Sequence, residues 1–284
     1  MRILKQRLVF LASGMKIDDA LQMFMHPMPD SALHRALEHR PELMGVIVWP
    51  FVCTNWNARM RLQRIEDHFR AVDAMGSPFD FPPDEMRQIL DLGDIAPDLR
   101  VVLDQAKWFM REGLQVINLF IQDKRIYSLA FSLTFEDDEV VVCVGAIQGV
   151  DTEGIMDNYK DLTKALHGMR PRDFLMELFR TLCRCLGIRK IYAVNDARRQ
   201  HRSSYFGPDK SKALFLNYND IWEERGGEQY DDDFFVFSTE TPMKNLDDVP
   251  SKKRAMYRRR YELLNSLEER LCTELHVTSS SLPT

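Results

Sequence analysis

The stretch HGMRPRDFLMELFRTLCRCLGIRKIYAVND, His167 to Asp196, decides the fold. Pro171 suits the first turn of a helix, where its missing N–H costs nothing. Phe174, Leu175, Leu178, Phe179, Leu182 and Leu186 recur at three- and four-residue steps and make one apolar stripe. Gly187 marks the helix end. The run IRKIYAVN then returns as a strand. Upstream, EVVVCVGAIQGV is nearly continuous in apolar residues from Val140 to Ile147, which places it at the centre of a sheet. A strand, a connection containing a helix and a second strand predict a parallel β-α-β unit.

The neighbouring segments extend this unit. LQVINLFIQ and RIYSLAFSLTF precede the central strand with short charged turns between them, the spacing of an antiparallel meander. DTEGIMDNYKDLTKAL contains a short helix. Downstream, NYNDIWEERGG reads as a helix ending at Gly226-Gly227, FFVFS as a strand, and the segment after Pro250 as a helix. The chain before about Arg111 reads as mostly helical, from the periodicity of DDALQMFM, SALHRALEHR and ARMRLQRIEDHFRAV. The step Pro82-Pro83-Asp84-Glu85 is expected to open one more helix. The expected class is α+β, a mixed sheet flanked by helices. Residues 1–110 form a helical N-terminal region, 111–245 an α/β core, and 246–284 a basic helix with a flexible tail.

The 284 residues are 45% hydrophobic and 29% charged, an ordinary globular composition. No window approaches about 18 uninterrupted apolar residues, the length of a membrane span. The start, MRILKQRLVFLASG, has basic residues before a short apolar run but no small-x-small cleavage site, so secretion is not expected. The five cysteines are odd in number and show no C-x-x-C spacing. They read as packing thiols of a reduced cytoplasmic chain. The seven histidines form no H-E-x-x-H or Cys/His pattern, so no metal is expected.

SKKRAMYRRRYELL, Ser251 to Leu264, stands against the net charge of -5. Lys252, Lys253, Arg254, Arg258, Arg259 and Arg260 predict an anionic partner. The acidic balance and the lack of a recognisable binding motif argue against nucleic acid. An anionic leaflet rewards each basic residue by about 1 kcal/mol. Met256, Tyr257, Tyr261, Leu264 and Leu267 form a stripe able to dock this helix on the rest of the chain.

TKALHGMRPRDFL, IWEERGG and PSKKRAMYRRRYELL resemble the hallmark segments of the VirK/YbjX family of Gram-negative bacteria. RIYSLAFSL, VGAIQG and WPFVCTNWNARMRLQRIEDHF are similar to its other blocks, in the expected order from Pro50 to Leu271. The resemblance implies a role in virulence, intercellular spread and resistance to cationic antimicrobial peptides, partly through the envelope. It implies no assigned reaction. The implied location is the cytoplasm or the periphery of the inner membrane.

The strand and helix order also looks like that of the GCN5-related N-acetyltransferases, whose glycine-bearing loop at a helix start binds the pyrophosphate of coenzyme A. By that resemblance Lys164, His167, Gly168, Arg170, Arg172 and Asn195 would hold a phosphate-bearing donor. The donor would be a coenzyme A thioester or an acidic acyl carrier protein. His201, Tyr218 and Trp222 would stand near the transfer point, and the reaction would be acyl or aminoacyl transfer. The sequence departs from that pattern. Ala165 stands three residues before Gly168, Arg170 replaces a small residue, and Trp222 replaces a tyrosine. These departures motivate a rival, a non-catalytic protein whose basic helix contacts an anionic lipid or an acidic partner. Asp196 reads as a turn residue satisfying local backbone groups, and Glu223 and Glu224 as solvated carboxylates.

Overall fold

A computed structural model describes Phe10, Ala12 and residues 14–207 and 216–275. The export reading of the first residues falls largely outside them, and the tail reading outside them altogether. Helices α1 (Asp18–Met25), α2 (Ala32–His39) and α3 (Ala58–Met75) come first. Ser31 and Asn57 cap α2 and α3 by accepting the N–H groups of His34 and Met60. Strands β1 (Met86–Asp91), β2 (Leu99–Asp104), β3 (Gln115–Ile121), β4 (Lys124–Glu136) and β5 (Glu139–Gly149) follow as an antiparallel series. After α4 (Ile155–Ala165) and α5 (Pro171–Cys185), β6 (Lys190–Val194) pairs parallel with β5. Then come α6 (Tyr218–Glu224), β7 (Glu228–Gln229), β8 (Phe234–Ser238) and α7 (Ser251–Glu274). The strand order is β1-β2-β3-β4-β5-β6-β8-β7. The expected mixed sheet and its parallel unit are present.

The reading of Pro82 to Glu85 as a helix start is corrected, because β1 begins at Met86. MRQILD and LRVVLD are too short to show either period. Pairing of β1 with β2, and of β2 with β3, supplies the backbone hydrogen bonds that a helix would have supplied. The sheet therefore runs across position 110.

Helix α5 has one side on β3, β4 and β5 and another on α7. All but Arg172 and Arg184 of its 15 residues are buried, so it is apolar well beyond a single stripe. Leu264 and Leu267 of the expected docking stripe are buried and Met256, Tyr257 and Tyr261 half-buried, while Leu271, beyond the stripe, is buried as well. Cys185 and Cys272 form a disulfide between the two helices, which corrects the reading of all five cysteines as packing thiols. Cys53, Cys143 and Cys183 are free and buried, in keeping with that reading. Burial pushes the Cys143 thiol up to about 12, so it stays protonated and inert.

β3 begins at Gln115, opposite Phe131, so past that point β4 keeps β5 on one side and has no strand on the other. Helix α3 covers the gap. His68 Nδ1 accepts the Leu133 N–H at 3.1 Å, and its Nε2 is buried. Complete burial lowers the His68 imidazole from 6.5 to about 3. Its folded value lies below its unfolded one, so its stabilising share is whole above pH 6.5 and is lost as pH falls toward 3. At pH 5 the loss should be about 2 kcal/mol. Urea midpoints of wild type and His68→Asn, whose amide oxygen can take the Leu133 N–H, measure it. The variant should lose less stability than wild type between pH 7 and 5, and parallel curves would refute the assignment.

Candidate functional site

β5 and β6 pair at Val142–Ile191, Cys143–Tyr192 and Val144–Ala193, and there the pairing stops. β5 runs on to Gly149. Ligands of open sheets with parallel strands bind beyond such carboxyl ends. Here α6 fills the parting. The Tyr218 hydroxyl donates to the Ile147 carbonyl at 3.2 Å and accepts the Ile147 N–H at 3.1 Å. The Trp222 indole donates to the Val194 carbonyl at 2.9 Å. Tyr218 is 1% and Trp222 0% exposed. Burial raises the Tyr218 phenol far above its ordinary value. Expected beside a transfer point, both side chains are instead core groups that satisfy the backbone of the parted strands.

The HGMRPR loop borders α7. His167 and Gly168 have φ of +52° and +79°. A Cβ on Gly168 would meet Met256 Sδ at 3.0 Å and Arg260 Nη2 at 3.3 Å. Arg260 also donates to the His167 carbonyl at 3.0 Å. The glycine thus admits the C-terminal helix, where the sequence reading had it admit a phosphate. The loop's cations already have partners. Lys164 pairs with Asp161 at 2.9 Å. Arg170 reaches Asp173 at 2.7 Å and Glu224 at 2.8 Å. Arg172 reaches Asp173 at 2.9 Å and Glu224 at 2.6 Å. The hydrogen bonds from Arg170 and Arg172 hold the Glu224 carboxyl below its usual range. Glu224 is thus exposed, as expected of a solvated carboxylate, and ion-paired as well.

Past β6, Asn195 caps a short turn by accepting the Ala197 N–H at 3.0 Å. Burial opposes the charge of Asp196, but the Tyr218 N–H, Arg202 and Arg199 outweigh it and keep the carboxyl below its ordinary range. Asp196 lies in the turn expected, but the backbone N–H its carboxylate accepts belongs to Tyr218, distant in sequence, and not to a local group. His201 lies beside this turn, its Nδ1 3.1 Å from Glu112 Oε1. The Glu112 side chain is 6% exposed and that of His201 is 21%. Gln200 Nε2 faces the imidazole, and Gln200 Oε1 is buried with no partner among the described residues. Sequence reasoning found His201 but missed Glu112 and Gln200. Glu112 comes from the loop before β3, and contact with the β5 bulge brings it to the site. The glycine that follows it was the one available signal.

On α7, Arg254 donates to the carbonyls of Val249 and Asp247 at 3.0 and 3.1 Å. With Arg260 on His167, two of the six expected cations serve the chain itself. Lys252, Lys253, Arg258 and Arg259 are exposed and form no ion pair among the described residues. Arg184 with Glu268, at 2.6 Å, and Arg270 with Asp94, at 3.0 Å, fasten the later turns of α7.

A family model described as a protein of unknown function, DUF535, matches residues 1–273. The chain belongs to the DUF535 family. An uncharacterised protein of Haemophilus influenzae is 33% identical over 63% of this chain and 58% of its own length. YbjX of Escherichia coli, also uncharacterised, is 29% identical over 51% of this chain and 44% of its own. A protein of Mannheimia haemolytica named membrane protein LapB is 25% identical over 56% of this chain and 68% of its own. The chain thus spans under two thirds of the first relative and under half of YbjX. The VirK/YbjX resemblance of the motifs is borne out. No solved structure matches the chain at a significant level.

Two clefts open elsewhere on this DUF535 chain, of about 220 and 360 Å³. The larger is lined by Trp56, Tyr192, Tyr230 and Phe234 among others, and none of the expected site residues borders either. No helix among the described residues is long and apolar enough to cross a membrane.

Proposed function

We propose that this DUF535 chain is a binding protein that holds an anionic lipid surface through α7, on a scaffold shaped like a group-transfer fold. The observation that carries this is a contrast. Lys164, Arg170 and Arg172, expected to hold a donor phosphate, are each paired with a carboxylate of the chain. Lys252, Lys253, Arg258 and Arg259 are exposed without one. The name of LapB and the envelope associations of the VirK/YbjX family are in keeping with it. The Cys185–Cys272 bond favours an oxidising compartment over the reduced cytoplasm that the cysteine spacing predicted.

Vesicle flotation tests this. Binding should need anionic lipid, weaken with salt, and drop at least about tenfold when Lys252, Lys253, Arg258 and Arg259 are changed to alanine. Arg254 and Arg260, which donate to backbone carbonyls of the chain, are left intact. Equal binding to neutral vesicles, or no effect of the four changes, would sink the proposal. Binding to an acidic protein but not to vesicles would replace lipid with that partner.

A second reading, acyl or aminoacyl transfer, is favoured by the His201–Glu112 contact beside the buried Gln200 oxygen. His201 would take the proton of the acceptor, and Glu112 would orient the imidazole. A coenzyme A thioester or acyl carrier protein would approach from outside the parting, which Tyr218 fills. Titration with both donors and a transfer assay test this. His201→Ala should lower transfer by about 100-fold at an unchanged unfolding midpoint. Failure of every donor to bind would remove this reading.

A further inference from the structure

We infer that the cleft between α2, α3 and the loop before β1 binds a ring-sized, uncharged apolar molecule carrying a hydroxyl. Its volume is about 220 Å³. An apolar cavity of about 150 Å³ is enough to take benzene. Phe69, Val72, Phe79 and Phe81, all buried, supply apolar walls.

The polar requirement comes from Gln115, the first residue of β3. It lines the cleft and is 1% exposed. Its Nε2 donates to the Phe79 carbonyl at 3.0 Å, which fixes the orientation of the amide. Its Oε1 is then an acceptor, buried and without a partner among the described residues. Leaving such an oxygen unpaired costs about 1–3 kcal/mol. A hydroxyl beside an apolar ring would remove that cost and fill the walls at once. The neighbouring Gln105 is already engaged, its Nε2 on the Phe81 carbonyl at 3.0 Å. At the mouth, Arg35 and Asp80 pair with each other at 2.7 Å, so an ionised ligand finds neither charge unmet. The ligand class is therefore a neutral phenol or compact alcohol.

Calorimetric titration of the full chain with phenol, anisole and toluene tests the inference. Anisole keeps the ring and the oxygen but has no hydrogen to donate. Phenol should bind saturably and about tenfold tighter than anisole, the worth of one hydrogen bond. In Gln115→Met that preference should fall below about twofold while toluene still binds. Equal affinities of wild type for phenol and anisole would overturn the hydroxyl assignment. Lack of saturable binding by phenol would overturn the site and leave the Gln115 oxygen to ordered water. Should Gln115→Met fail to fold, the wild-type comparison of phenol with anisole decides alone.

Discussion

Gly145→Ala should destabilise the protein by about 4 kcal/mol, a large loss for one methyl group. The register of β4 and β5 shifts between Ala130 and Phe131, which face Ala146 and Val144, so Gly145 is the extra residue of a bulge. A Cβ there would lie 1.9 Å from the Glu112 carbonyl oxygen and 2.8 Å from its carbon. Both atoms are backbone, so no rotamer change relieves the clash. Either the bulge or the loop before β3 must move. Urea denaturation should show a lower midpoint at unchanged slope. Gly76→Ala is the control. Gly76 has φ of +63° with ψ of -126° and nothing within 4 Å of a built Cβ, so that change should cost about 1–3 kcal/mol from backbone strain alone. A loss below about 1 kcal/mol for Gly145→Ala would mean that the bulge does not press on Glu112.

Arg180→Met should cost about 3–5 kcal/mol. Arg180 and Glu177 are 1% and 3% exposed inside α5, with Nη1 and Oε1 3.3 Å apart. Arg180 also donates to the Arg225 carbonyl at 2.6 Å and lies 5.6 Å from the centroid of Phe237. Burial lowers the Arg180 guanidinium from its ordinary value, yet the carboxylate and the carbonyl keep it in place. Removing the cation strands a buried carboxylate. Changing both residues to methionine should restore most of the stability, since two packed apolar chains replace a desolvated pair. A double variant no better than Arg180→Met would refute this account.

The central part of the fold was legible because its signals are strong and local. Pro171, the apolar steps from Phe174 to Leu182 and the β-branched run Val140 to Val142 each specify one element. β1, β2 and β7 were not legible. Each is short, and pairing with a neighbour distant in sequence decides it. The site divided along the same line. His201 was found because it follows the carboxyl end of a strand. Glu112 was not, because contact between the loop before β3 and the bulge at Gly145 sets its place. The role of Gly168 was misread for a related reason. A glycine with positive φ marks close approach, but the sequence does not say whether a ligand or a helix approaches. Likewise an odd number of cysteines cannot reveal that two helices will bring Cys185 beside Cys272.

That last pair has a consequence for the chain as a molecule. The bond spans 87 positions and turns residues 185–272 into a covalent ring that holds β6, α6, the β7–β8 hairpin and nearly all of α7. One backbone cut inside the ring opens it without releasing a fragment. The nicked protein would keep its intact mass on a non-reducing gel and part into two pieces after a thiol is added. The basic helix would thus survive proteolytic clipping between itself and the core, for as long as its surroundings stay oxidising.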